Sequence, residues 1–243
     1  MIQNWLPLGA SSFSGDVDGV FRLILYVVGA WFILVEALIL FFVIRYRRRR
    51  AGQAVYVTGE TAYQLAWILI PGLIVLLLDL GIDASGARAW GKIKEQTPAA
   101  AFKARVTAER FAWLFTYPGP DRRFGTEDDL WEVGTLHVPV GQPVELEMNS
   151  MDVIHSFAVP NFRLRQDILP GRTIKAWFEA TQPGSYEIEC TELCGAEHYK
   201  MQGKAIALDA KEYERWSREH WPAAPVRPQD QPKTASAAHG GNE

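Results

Sequence analysis

The stretch GSYEIECTELCGAEHYKM, residues 184 to 201, decides how the chain is read. Its first half alternates, with Tyr186, Ile188 and Cys190 on one face, and predicts a half-buried β-strand. Its second half is a loop that holds both cysteines of the 243-residue chain. Cys190, Cys194, His198 and Met201 follow one another there at short steps. The strand points to the fold and the loop to the chemistry.

Upstream, from Phe102, further short alternating runs succeed one another: FKARVTAE, RFAWLFTY, LWEVGTLHVPV, PVELEMNS, IHSFAVP and RTIKAWFEA, with GKAIALD after the loop. Turn formers separate them (PGP, GQP, PGR, QPGS). This pattern predicts an all-β sandwich or barrel over residues 102–221. Pro118 to Asp129 reads as a hairpin-tip insert. Its acids Asp121, Glu127, Asp128 and Asp129 read as a solvated acidic loop, with a calcium site as the alternative. Residues 222–243 are rich in Pro, Ala, Gln and Gly and read as a disordered tail, with His239 solvated.

The first third has a different composition. Val20–Ile44 and Tyr63–Ile82 are each long and apolar enough to span a bilayer, which takes roughly 20 such residues. Neither shows a polar stripe at helical period, which argues against a pair of buried core helices. Arg45 to Arg50, RYRRRR, lie between them and hold that loop on the cytoplasmic side. The spans therefore form a hairpin with both chain ends outward. Residues 1–19 read as an outer leader with no basic region ahead of an apolar run, which argues against a cleavable signal peptide, with the first span as an uncleaved signal the alternative. Residues 83–101 read as a connector. Arg22 and Asp79 lie near the outer interface. Glu36 lies near mid-membrane, where a carboxylate needs protein cover, so the hairpin is expected to pack on another membrane subunit. A net charge of −3 gives no reason to expect a nucleic-acid partner.

Three chemistries compete for the loop. A Cys190–Cys194 disulfide suits an oxidising compartment and leaves His198 and Met201 unexplained. A Cys2His2 zinc site needs a further histidine, from His137, His155 or His220, and ignores Met201. Copper uses every donor, because a thioether is a soft, copper-type ligand. With two thiolates, both sulfurs can bridge two copper ions. His198 and Met201 serve as imidazole and axial ligand. His155 is the best candidate for the second imidazole, and the Glu192 carbonyl for the second axial ligand. Such a pair suits one-electron relay.

These residues resemble subunit II of the haem–copper cytochrome c oxidases of the class with a two-helix hairpin. The resemblance covers roughly residues 15–216 and is carried by CTELCGAEHYKM, MDVIHSFAVP and RLRQDILPGR. It implies a cupredoxin-like Greek-key barrel with a dinuclear copper centre, CuA. The implied ligands are His155, Cys190, Glu192 through its carbonyl, Cys194, His198 and Met201. It also implies a magnesium ion shared with subunit I through the Glu192 carboxylate, with Asp167 and Arg172 near that interface. The implied setting is a bacterial plasma membrane with the copper domain in the periplasm. The implied partners are subunit I and other oxidase subunits, the lipid bilayer, and a cytochrome c or equivalent haem protein as donor. With no CxxCH, the donor is a separate chain.

Three departures stand out. The family position that receives the electron, usually Trp, is Phe111 here, and Trp113 nearby reads as a core aromatic. The family carboxylate at the mouth of a proton channel is Gln64. Glu60, one turn earlier, is the alternative carboxylate and reads equally as an interfacial or capping residue. The insert at Pro118–Asp129 is additional, and acids such as Glu127, Asp128, Asp129, Glu145 and Glu147 are candidates for attracting a basic donor. The resemblance implies the electron-input subunit of a respiratory oxidase, with oxygen reduction and proton pumping in subunit I. Quinol oxidase subunits lack the copper ligands. Nitrous oxide reductase carries a catalytic domain absent here. A nitric oxide reductase subunit and a membrane-anchored copper-delivery protein remain as alternatives.

Overall fold

The computed structural model describes residues 5–47 and 56–221. Arg48 to Arg50 and the tail with His239 lie outside the described residues. Two long helices lead the chain. Helix α1 runs Ser14–Arg45 and helix α2 runs Ala62–Trp90, continued by a π-helical turn, Gly91–Glu95. Both are almost wholly exposed apolar surface with no buried partner for it, which is expected of helices solvated by lipid.

The helices outrun the apolar spans at both outer ends. α1 begins six residues before Val20, and α2 carries on through GIDASGARAW, so most of the expected connector is helical. Apolarity marks the lipid-facing length, whereas the backbone continues until a breaker arrives, and this segment holds no proline. At the other end of α2, Thr61 caps the helix. Its hydroxyl accepts from Gln64 N–H and the Gln64 side chain accepts from Thr61 N–H, each at 3.3 Å. This is a capping box.

The leader, from Ala10 on, packs into the β domain. Ala10 and Phe13 are fully buried, and Ser11 bridges Ala180. Ser12 N–H donates to Glu179 O (3.0 Å) and Ala10 N–H to Asn161 O (2.7 Å). Arg163 forks onto Asp18 at 2.6 and 3.1 Å, and the Phe13 ring meets Trp177 edge-on at 5.4 Å. Trp177 Nε1–H donates to Ile93 O (2.7 Å) in the π-helical turn. The outer ends of both helices are thereby fastened to the same domain.

That domain is a flattened barrel of two five-stranded sheets. One sheet has the order β3 (Leu130–Val133), β2 (Ala112–Tyr117), β1 (Phe102–Glu109), β5 (Pro143–Ser150), β8 (Ile174–Glu179). The other has β4 (Thr135–Pro139), β10 (Gln202–Leu208), β9 (Gly184–Cys190), β6 (His155–Val159), β7 (Leu164–Ile168). Pairs β1–β5 and β4–β10 are parallel and the rest antiparallel. Trp113, Phe115, Tyr117, Phe157, Phe162 and Phe178 are fully buried between the sheets. Each such side chain contributes about 1.5–3 kcal/mol by burial, so the strands that carry the site are rigidly held.

Two elements differ from the sequence reading. LWEVGTLHVPV is two strands in different sheets, because Gly134 takes φ +75° and turns the chain across the barrel. The domain also ends in a helix, α3 (Ala210–His220), capped by Asp209, whose Oδ1 accepts from Lys211 and Glu212 N–H. Its one buried residue is Trp216, too little apolar surface to register as a periodic pattern.

Candidate metal centre

The β9–β10 hairpin loop, 191–201, is fixed at both ends. Cys190 N–H donates to Met201 O (3.2 Å) and Thr191 N–H to Ser156 O (3.0 Å). Pairing of β6 with β9 sets Phe157 opposite Cys190, so His155 lies beside the start of the loop. Cys190, Cys194, Met201 and His155 are buried.

The donor atoms converge. Cys190 Sγ lies 3.9 Å from Cys194 Sγ, 3.9 Å from His155 Nδ1 and 3.2 Å from the Glu192 carbonyl oxygen. Cys194 Sγ lies 3.5 Å from His198 Nδ1 and 3.8 Å from Met201 Sδ. A disulfide bond is about 2.05 Å, so the thiols are separate. Two donors each roughly 2.0–2.3 Å from one first-row ion at tetrahedral angles stand roughly 3.3–3.8 Å apart. The observed spacings, 3.2–3.9 Å, lie within about 0.1 Å of that range, and two sulfurs with donors on either flank suit a pair of ions. Burial and the adjacent Cys190 push the Cys194 thiol up to about 11, so a metal must displace a proton to bind there.

Around the donors lies a set of supports that the sequence reading missed. Burial alone would raise the Asp152 carboxyl. The His155 ring and the backbone N–H groups of Arg110 and Val153 outweigh it and hold the carboxyl down at about 2. Asp152 Oδ1 lies 2.9 Å from His155 Nε2. A carboxylate there assigns the ring proton to Nε2 and turns Nδ1 toward the sulfurs. The cue available in the sequence was an Asp three residues before a candidate ligand His. Arg110, in the β1–β2 turn, donates its N–H to Asp152 Oδ2 (2.9 Å) and its Nε–H to the Cys194 carbonyl (3.0 Å).

Phe111 is half-buried against Gly195. A Cβ at Gly195 would come within 3.0 Å of the Phe111 ring, and Gly195 holds φ +146°. The ring thus lies on the residue after Cys194. Trp113 is fully buried, edge-on to the His155 ring at 6.1 Å and to Phe157 at 5.3 Å. It offers no surface to a partner.

The remaining candidates lie elsewhere. His137 and His220 both stack on Trp216, and His137 Nδ1 lies 2.8 Å from Glu132. Neither joins the cysteines. Asp167 accepts from Ser156 (2.7 Å), and Arg172 is exposed. Glu145 faces Lys175 (3.1 Å) and Lys103 (3.5 Å), and Glu147 faces Arg105 (3.3 Å). Those two acids are internally neutralised. The 118–129 insert joins the end of β2 to the start of β3, whereas Phe111 and the donors lie beyond the start of β2, at the opposite end of the barrel. The insert therefore does not border the donor cluster.

Two family models match the chain: the transmembrane domain of cytochrome c oxidase subunit II over residues 1–81, and the periplasmic domain of the same subunit over residues 120–208. The cytochrome c oxidase subunit 2 of Thermostichus vulcanus is 32% identical, over 92% of this chain and 81% of its own length. That of Synechocystis sp. is 29% identical, over 90% of this chain and 76% of its own. The crystal structure of the periplasmic domain of subunit II of cytochrome oxidase from Bradyrhizobium japonicum is 27% identical. It aligns with 51% of this chain and 96% of its own, with a TM-score of 0.46.

Proposed function

The chain belongs to the cytochrome c oxidase subunit II family, and on that premise we propose that its β domain holds a dinuclear copper centre through which a haem–copper oxidase receives its electrons. The observation that carries this reading is the convergence of two thiols, two imidazoles, a thioether and a carbonyl oxygen at spacings of 3.2–3.9 Å. The ligands are His155, Cys190, Glu192 through its carbonyl, Cys194, His198 and Met201. When bound, the copper pair supplies a one-electron carrier whose charge is shared over two ions.

The residues of the chain do the rest. The barrel holds the donors before metal arrives, so little rearrangement accompanies electron transfer. Burial keeps water from the sulfurs. The half-buried Phe111 ring, lying on Gly195, is the contact through which a separate cytochrome c or equivalent haem protein delivers the electron. Trp113 braces the His155 ring from inside. By the family resemblance, the Glu192 carboxylate would hold magnesium at the boundary with subunit I, whose haem would accept the electron. In the membrane hairpin, Gln64 acts in the helix cap. Glu60 is left as the ionisable candidate for proton uptake at that end.

Arg45 to Arg50 orient the hairpin, with that loop cytoplasmic and the β domain on the periplasmic side of a bacterial plasma membrane. Attachment of the outer ends of both helices to the β domain, and of Lys92 to Asp16 between them, supports this arrangement. Metal analysis of the intact protein loaded with copper tests the reading. It predicts two copper ions per chain, lost on Cys194→Ser. One copper per chain, or preferential retention of zinc, contradicts it.

A further inference from the structure

We propose that Arg110 is a positioning residue for the copper centre, clamping the cysteine loop to the His155 turn; this rests on the dinuclear-copper reading above. Three observations carry it. Arg110 spans the two segments that supply the ligands. Its backbone N–H is bound to Asp152, which orients His155, and its side-chain Nε–H is bound to the carbonyl of Cys194. The central part of the loop has few other ties. Its ends are pinned by Cys190 N–H on Met201 O and Thr191 N–H on Ser156 O, and within it the His198, Lys200 and Met201 N–H groups donate to Gly195, Glu197 and His198 O, all on the far side of Cys194. Cys194 stands between these points, and Arg110 is the described side chain that holds its backbone. The same turn carries Phe111, whose ring packs on Gly195. One short turn thus grips the loop on both sides of the Cys194–Gly195 peptide.

The side chain also brings charge. The Arg110 side chain is half-exposed (49%), and its Nε lies 3.8 Å from Asp152 Oδ2. A cation this close to the centre disfavours the oxidised, more positive copper pair relative to the reduced one. The Asp152 carboxylate offsets part of that effect in the wild-type protein and stays in place in both Arg110 variants, so the difference between variants reports the Arg110 charge. Arg110 therefore has two separable actions. Direction comes from a planar Nε–H aimed at a carbonyl, and electrostatics from a fixed positive charge.

Arg110→Met and Arg110→Lys separate them in full-length, copper-loaded protein. Met keeps the aliphatic stem and the backbone N–H to Asp152 while removing both actions. Lys keeps the charge and loses the fixed Nε–H geometry. The reduction potential, the copper hyperfine pattern and the rate of copper loss to a chelator are measured for each. The expectation for Met is a lower potential, an altered hyperfine pattern and severalfold faster copper loss. Lys is expected to restore the potential while keeping the altered hyperfine pattern and the faster loss. Wild-type values for all three in the Met variant, with two coppers bound, overturn the assignment and leave the copper reading intact. Failure of the wild-type protein to bind a copper pair overturns both.

Discussion

Replacing Asp152 by Asn tests the support under His155. The Asp152 carboxylate uses both oxygens. Oδ1 faces His155 Nε2 at 2.9 Å and Val153 N–H at 2.6 Å, and Oδ2 accepts from Arg110 N–H at 2.9 Å. Asn can keep its oxygen on the His155 side. Its NH2 group then faces the Arg110 N–H, donor against donor. An unsatisfied donor of this kind costs about 1–3 kcal/mol, toward the lower end here because the Asp152 side chain is 27% exposed. The imidazole also loses its anionic partner, and loss of such a partner typically lowers metal affinity about 10–100-fold. Chelator competition on the intact protein should show a fall of that size, and Asp152→Ala should fall further by removing every acceptor. The depressed carboxyl makes the stability effect depend on pH. The wild-type advantage is complete above the ordinary Asp value of about 3.9 and is lost as pH falls toward about 2. Affinity equal to wild type in Asn, or lower in Asn than in Ala, would refute the tautomer argument.

Further outcomes follow from other parts of the molecule. Gly195→Ala forces φ +146° on a residue with a Cβ and drives that Cβ to 3.0 Å from the Phe111 ring; a penalty of about 1–3 kcal/mol is expected. Denaturant unfolding and donor-driven electron transfer should both suffer, and an unaffected transfer rate would detach Phe111 from the cysteine loop. Gln64→Ala removes the side-chain acceptor of the exposed Thr61 N–H and keeps the Thr61 hydroxyl on the Gln64 N–H, a loss of about 0.5 kcal/mol, which thermal unfolding in detergent should register as a small fall, while Gln64→Glu preserves the cap. If proton uptake at this end uses Glu60, Glu60→Gln slows oxidase turnover whereas Gln64→Ala does not, and the reverse result moves the role to Gln64. Copper loading should weaken as pH falls. The Cys194 thiol, raised to about 11, must lose its proton, so apparent affinity drops about tenfold per pH unit for that proton alone. A flat profile between neutral and mildly acidic pH would show that no thiol proton is displaced.

Much of this was legible in the sequence because it is local. Tyr186, Ile188 and Cys190 alternate along one strand, and burial in the structure follows that alternation. The four loop donors sit close together in any fold that closes a hairpin there, and each span declares itself by apolar length. What the sequence hid depends on contacts far apart in the chain. Asp18 meets Arg163 across 145 residues and Arg110 meets Cys194 across 84, and no periodicity encodes either pairing. Gly134 looked like one more residue in a strand until its positive φ divided β3 from β4. Glu145 and Glu147 looked like free acids, but cross-strand register sets Lys103, Arg105 and Lys175 beside them.

Whether the cysteine loop holds two coppers as one centre is read from the paramagnetic resonance spectrum of the full-length, copper-loaded, oxidised protein. A dinuclear centre gives one unpaired electron per chain with hyperfine splitting from two equivalent copper nuclei, abolished by Cys190→Ser. A spectrum of a single copper nucleus in protein whose two thiols are free of disulfide would contradict it.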